Sequence, residues 1–164
     1  MTQQEKDKYY MKVAQVTSEN SKAQRLKVGA VLVKGDQIIS DGFNGMPSGF
    51  DNTCEKLICL DETKCLNNNK YKPCSICLSR GLKTNPEVLH AESNAITKCA
   101  KYGYASLGST LYVTHSPCIE CAKLIIQAGI KRVVYKELYR KPDGLNLLNK
   151  ANINVIKYES NSDK

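Results

Sequence analysis

Two short segments constrain the fold of this chain more than any other feature. HAESNAI, residues 90–96, places one of the chain's two histidines at the start of a helical pattern. SPCIECAKLIIQAG, residues 116–129, places Cys118 and Cys121 in the first turn of another, three residues apart and so on one face. Two helix N-termini brought together would offer an imidazole and two thiols to one ion, and their positive ends favour thiolate over thiol. Any fold of this chain that uses the three residues together must meet that constraint.

Taken singly, each half is ambiguous, because a lone C-x-x-C is often incidental and a helix-start histidine is often an ordinary polar residue. Together they define an open metal site. Three protein ligands, His90, Cys118 and Cys121, leave one tetrahedral position for water, the pattern of a catalytic zinc and not of a closed structural one. Glu92, two residues beyond His90, stands near the metal without being needed as a ligand, which suits a proton carrier. H-x-E followed by P-C-x-x-C is the combination found in zinc deaminases.

The apolar pattern supplies the frame. Residues 5–20 read as a helix with Tyr9, Tyr10, Val13, Ala14 and Val16 at helical intervals. Residues 28–34 and 37–44 read as antiparallel strands joined through Gly35-Asp36. Then follow a helix over 90–102, a strand over 110–116, a helix over 117–129, a strand over 131–137, a helix over 143–151 capped by Asp143, and a strand over 153–159, with a frayed tail from Ser160. Both metal-bearing segments fall at strand-to-helix junctions. The alternation predicts an α/β sheet with parallel strands and helices on its faces after an antiparallel opening hairpin.

A length of 164 residues fits one domain, 1–164. With 41% hydrophobic and 24% charged residues the composition is that of a globular chain. No apolar run is long enough to span a bilayer, and MTQQEKDKYY lacks a signal-peptide core, so the expected location is the cytoplasm. The formal charge of +8 favours an anionic partner, although scattered lysines also describe an ordinary solvated surface.

Residues 45–87 interrupt the pattern as a Cys-rich insertion. They carry three prolines and five of the eight cysteines, which without an export signal favours reduced thiols or metal ligands over disulfides. Cys54, Cys59, Cys65, Cys74 and Cys77 include a second C-x-x-C, and four thiolates would make a closed structural zinc site. The preferred set is Cys54, Cys59, Cys74 and Cys77, with Cys65 spare; the alternative is free thiols on a loop. Cys99, on a helix face, reads as core.

SKAQRLKVGAVLV, GFNGMPSGF, HAESNAI, LYVTHSPCIECAKLIIQAGIKRVVY and KELYRKPDGLNLLNKANINVI, covering most of residues 21–156, resemble segments of the cytidine deaminase superfamily in the same order. Within it they are most similar to the deoxycytidylate (dCMP) deaminases of phages and viruses. The resemblance implies a three-layer α/β/α sandwich around a mixed sheet of about five strands. It implies hydrolytic attack on cytosine C4, with Glu92 passing a proton to ring N3 and then to the departing amine, giving dUMP for dTMP synthesis and ammonia.

By the same resemblance Asn44, in G-x-N-G, would bond the sugar or base, and the amide of Ala91 would donate to the pyrimidine carbonyl. For the phosphate the candidates are Arg25 and Lys27 ahead of the first strand and Tyr139 and Arg140 after the fourth; Arg25 and Lys27 lead, followed by Tyr139, which matches a family position. Cys54 and Cys59 match a cysteine pair of two-zinc relatives. A homo-oligomer such as a hexamer, activated by dCTP and inhibited by dTTP through loops such as GMPSG, is also implied, without membrane or nucleic-acid partners and, for a viral chain, in the host cytoplasm. His115 departs from the family, where an apolar residue precedes the S-P-C triplet; it reads as pocket wall or substrate contact.

The same chemistry on dCTP, cytidine or tRNA adenosine is the neighbouring enzymatic reading. A zinc module that binds nucleic acid without catalysis is the reading from another class. Glu92 argues against the latter, since such a module has no use for a carboxylate beside its ligands.

Overall fold

The computed structural model describes residues 1–60 and 80–159. Helix α1, Gln3–Glu19, opens with a capping box in which Glu5 N–H donates to Thr2 Oγ1 and Thr2 N–H donates to Glu5 Oε2 at 2.7 Å. Its buried stripe is Tyr10, Met11, Ala14 and Thr17, whereas Tyr9 and Val16, expected to join it, are exposed. The apolar residues at 9 and 16 mislead because the stripe that meets the sheet is completed by Met11 and Thr17.

Strands β1, Gly29–Lys34, and β2, Gln37–Phe43, pair antiparallel. Gly35 (φ 56°) and Asp36 (φ 62°) both lie in the left-handed region, as a tight two-residue hairpin turn of matching twist requires. Strands β3, Glu55–Cys59, and β4, Arg80–Thr84, pair with one another from Glu55↔Thr84 to Cys59↔Arg80, apart from the main sheet. The insertion therefore carries a two-stranded ribbon that its sequence does not announce, because EKLIC and RGLKT are short and lack alternation.

The remaining elements are α2, Ala91–Tyr102; β5, Thr110–His115; α3, Ile119–Gln127; β6, Arg132–Glu137; α4, Asp143–Lys150; and β7, Asn154–Lys157. They complete a five-stranded mixed sheet of order β2-β1-β5-β6-β7, antiparallel at β1–β2 and β1–β5 and parallel at β5–β6 and β6–β7. Two details differ from expectation. Leu89 precedes α2 not in a strand but in an isolated bridge with Gly45. Asp143 is the first residue of α4, not its cap; Pro142 holds that position, and the Asp143 carboxylate acts only on the positive helix end.

The sheet is buried on both faces, and period-2 alternation divides the core. Val31, Val33, Tyr112 and Val134 face Tyr10, Met11 and Ala14 of α1. Ala30, Leu32, Leu111, Val113 and Val133 face Ala91, Ala95 and Cys99 of α2, Ala122 and Ile125 of α3, and Leu145 and Leu148 of α4. The result is the expected three-layer α/β/α sandwich, with Cys99 in its core. Among the described residues no helix is long and apolar enough to cross a membrane.

One polar cluster fastens α1 to the sheet. Arg132 Nη1 donates to Asp7 Oδ1 at 2.8 Å and Nη2 to Oδ2, and Tyr112 Oη donates to Asp7 Oδ1 at 2.8 Å. Burial alone would raise the Asp7 pKa, but donors from Arg132, Tyr112 and Gln3 outweigh it and hold the carboxyl below the usual aspartate value. A depressed folded-state pKa means that the stabilisation is full above the ordinary aspartate range and is lost as pH falls through the lower folded value. Asp7→Asn is expected to cost about 3 kcal/mol in urea unfolding at neutral pH. The cost should shrink as pH falls below about 4, where the unfolded chain takes up the proton, and disappear once pH passes the lower folded value.

Candidate active site

The site is built where α2 and α3 begin. His90 is the N-cap of α2 and Cys118 the N-cap of α3, and neither side chain makes the usual cap hydrogen bond. They turn toward each other: His90 Nδ1 lies 3.4 Å from Cys118 Sγ and 3.4 Å from Cys121 Sγ. Cys121 arrives on the same face because it is the third residue of α3.

Two glycines permit this approach. A Cβ on Gly42 of β2 would overlap the Ala91 carbonyl oxygen and stand 2.5 Å from Ala95 N, so only glycine lets α2 seat against β2. A Cβ on Gly144 of α4 would overlap the Pro117 carbonyl oxygen and stand 2.8 Å from the Cys118 carbonyl carbon. Both metal-bearing turns are thus held by backbone pressed against backbone.

The donor set fits zinc. Tetrahedral bonds of about 2.0–2.3 Å to nitrogen and sulfur place ligand atoms about 3.5 Å apart. The three ligand atoms, all within 4.8 Å of one another, already approximate three corners, and the chemistry is that of a borderline-soft cation. With three protein ligands the arrangement is open to the cleft.

The charge pattern agrees. The Cys118 thiol is drawn down to about 3, chiefly by a hydrogen bond from Cys121 and further by His90. Cys121 moves the other way, because it keeps the proton that it shares with Cys118. His90 is raised mainly by its hydrogen bond to Cys118. Glu92, 4% exposed, is pushed up to about 7 by burial, and its carboxyl is within hydrogen-bonding reach of Cys121. A carboxyl balanced between its two protonation states near neutrality can both take and give a proton.

The cleft beyond these residues brings most of the expected substrate contacts together. Arg25, Asn44, Ala91 and Tyr139 all line it; Lys27 is exposed and lies outside its lining. The Asn44 side chain is partly engaged: Oδ1 accepts from Val28 N–H at 2.8 Å and Nδ2 donates to the Leu26 carbonyl at 2.8 Å, which leaves one amide hydrogen free of these bonds. His115 also lines the cleft, half-buried.

Three cleft residues carry no motif. Glu55 opens β3 with its carboxylate accepting from the backbone N–H groups of Gln24 and Arg25, so it shapes the turn that presents Arg25. Thr84 of β4 accepts from Arg25 Nη1 at 3.2 Å. Arg140, a phosphate candidate beside Tyr139, also joins the lining, with its guanidinium 5.8 Å from the Tyr139 ring. The first two sit on the ribbon that sequence patterning does not reveal.

Cys54 and Cys59 are not brought to one point. Cys54 is buried just ahead of β3 and Cys59 ends that strand, so extended backbone separates them by roughly 16 Å. That separation exceeds the reach of two thiolates to one zinc, and it corrects the expectation that both serve the same ion. Cys65, Cys74 and Cys77 lie outside the described residues.

Comparison with known proteins accords with this geometry. Residues 4–137 match the model of the cytidine and deoxycytidylate deaminase zinc-binding region. The chain belongs to the cytidine and deoxycytidylate deaminase family. It is 37% identical over 170 residues to the deoxycytidylate deaminase of Enterobacteria phage T4, spanning 89% of this chain and 86% of that protein. It is 36% identical over 154 residues to ComE operon protein 2 of Bacillus subtilis (strain 168), spanning 93% of this chain and 71% of that protein. A crystal structure of the cyanophage S-TIM5 dCMP deaminase, in complex with dCMP and dUMP, superposes with a TM-score of 0.77 at 38% identity, covering 96% of this chain and all of that one.

His90, Cys118 and Cys121 are the one group of donors among the described residues that could hold the family's zinc. Gly144→Ala should destabilise the fold by about 1–3 kcal/mol, as overpacking does. Because the strain falls on Pro117 and Cys118, it should also speed zinc loss to a chelator, followed with a colorimetric zinc indicator.

Proposed function

We propose that this chain is a zinc-dependent hydrolase that converts dCMP and water to dUMP and ammonia. The observation that carries the reading is the convergence of His90, Cys118, Cys121 and buried Glu92 in a cleft that also holds Arg25 and Arg140. The first group suits hydrolysis at a ring carbon, and the arginines suit a monophosphate. Similarity to named deoxycytidylate deaminases supports the substrate.

When bound, zinc supplies Lewis acidity that brings the ionisation of water into the neutral range. Glu92 takes the proton released by that water and delivers it to cytosine N3 as the new C–O bond forms at C4. It then takes the proton of the new C4 hydroxyl and passes it to the amine, which leaves as ammonia when the C–N bond breaks and the C4 carbonyl forms. Burial keeps the carboxyl close to neutrality in pKa, so neither transfer is steeply uphill. The Ala91 N–H, unpaired within its helix as a first-turn amide, donates to the pyrimidine carbonyl, and the remaining amide hydrogen of Asn44 donates to the sugar or base. Arg25, with Tyr139 and Arg140 across the cleft lining, holds the phosphate.

The decisive test follows loss of cytosine absorbance with dCMP, dCTP and cytidine. Zinc-loaded wild type is expected to prefer dCMP, and Glu92→Gln should retain zinc while losing about 10³-fold in kcat. Absence of turnover on every cytosine and adenine substrate would overturn the enzymatic reading and leave the zinc module in its place.

The reading extends to a second, structural zinc and to a homo-oligomer, a hexamer in the fullest form, regulated by dCTP and dTTP. Family resemblance supports these extensions. For the second ion, the extended β3 strand favours Cys59 over Cys54, with Cys65, Cys74 and Cys77 completing four thiolates. Metal analysis should then give two zincs per chain, unchanged in Cys54→Ser and falling to one in the Cys74→Ser/Cys77→Ser variant.

A further inference from the structure

His115 lines the cleft, and the deamination scheme gives it no work. Its surroundings define its tautomer. The buried Thr114 hydroxyl accepts from Gly29 N–H at 3.1 Å, and it lies 3.2 Å from His115 Nδ1. A hydroxyl has one proton to give, and among the described residues Nδ1 is the one partner within reach that could accept it, which favours an unprotonated Nδ1. With Nδ1 accepting, the ring hydrogen belongs to Nε2. Burial, which outweighs the nearby Glu137 carboxylate, favours the neutral ring.

The place of this donor in the fold limits what it can meet. His115 ends β5, three residues before Cys118, and its register partner Glu137 lies two residues before Tyr139. Ser116 ties the two segments together: its N–H donates to the Glu137 carbonyl at 2.8 Å, and its Oγ accepts from Tyr139 N–H at 2.8 Å. The His115 backbone thus links the metal end of the cleft to the Tyr139–Arg140 end. An N–H donor cannot pair with the C4 amine, which is itself a donor in cytosine. The pyrimidine carbonyl and N3 already have Ala91 and Glu92. The acceptors left on a nucleotide are the oxygens of its sugar and phosphate.

We propose that His115 is a specificity-determining residue whose Nε2–H, held by the contact of Nδ1 with Thr114, donates to the 3′-oxygen or a phosphate oxygen of the bound nucleotide. The proposal rests on the dCMP reading above. It gives this chain one further grip on the non-reacting part of its substrate, so it acts on binding and not on the chemical step.

Binding of the product dUMP to zinc-loaded protein, measured by calorimetry, tests it directly. His115→Leu should weaken dUMP about tenfold, the value of one hydrogen bond. His115→Gln, whose amide nitrogen reaches toward the Nε2 position, should stay within about threefold of wild type. With dCMP the Leu variant should raise KM and leave kcat nearly unchanged. Two ligands identify the oxygen: the Leu deficit should vanish with 2′,3′-dideoxyuridine monophosphate if the acceptor is the 3′-oxygen, or with deoxyuridine if it is the phosphate. Because the chain has only two histidines, long-range 15N correlation spectra can assign the His115 tautomer, expected to be Nε2–H in wild type.

An unchanged dUMP affinity in folded His115→Leu, the same deficit with all three ligands, or an Nδ1–H tautomer would overturn the proposal. Wild type that turns over other cytosine substrates but neither binds dUMP nor deaminates dCMP would instead overturn the dCMP reading beneath it.

Discussion

The site depends on the seating of two helix N-termini against neighbouring backbone. Imidazole and thiolate can share an ion only if both N-caps are held within a few ångströms, and side-chain packing does not achieve this because any Cβ at positions 42 or 144 collides with main chain. Glycine is required there for the absence of a side chain and not for unusual backbone angles. Once α2 and α3 are seated, their N-caps are released from capping duty, and the positive ends of both helices face the group that must carry thiolate charge.

The sheet behind those helices makes the seating durable. On one face Ala30, Leu32, Leu111, Val113 and Val133 form the floor on which α2, α3 and α4 rest. On the other, α1 is held by apolar packing and by the Asp7–Arg132–Tyr112 cluster, which joins it to both β5 and β6. A charge pair so nearly enclosed contributes only because each oxygen of Asp7 has a donor; removing one partner would leave a buried charge without compensation.

The sequence was legible wherever one local signal had one structural meaning. The left-handed Gly35-Asp36 turn and the strands that flank it had a single consistent outcome, and the paired motifs bring His90, Cys118 and Cys121 into one cluster. It was misleading where long-range packing chose between local options. Which side of α1 is buried depends on the sheet it meets, so Val16 was placed inside and is outside. The β3–β4 ribbon has little pattern of its own, and its strands are joined by pairing across a long insertion. Cys54 and Cys59 resembled one metal-binding pair until their extended separation was seen. Glu55 and Thr84 could not be read as cleft residues without that ribbon.

What the cleft offers a ligand is decided as much by bonds already made as by residue type. Glu55 has both oxygens turned to backbone N–H groups, Ser116 Oγ accepts from Tyr139 N–H, and Asn44 Oδ1 accepts from Val28 N–H, so these acceptors are already engaged. The groups that remain are weighted toward donors: the first-turn amide of α2, the second Asn44 amide hydrogen and two guanidinium groups. A nucleotide monophosphate has the opposite balance, with acceptors on its carbonyl, sugar and phosphate. The exception inside the cleft is Glu92, the group to which the proposed mechanism gives the task of first accepting and then returning a proton. The polarity of the cleft therefore separates holding from chemistry, with fixed donors for the one and a single titratable carboxyl for the other.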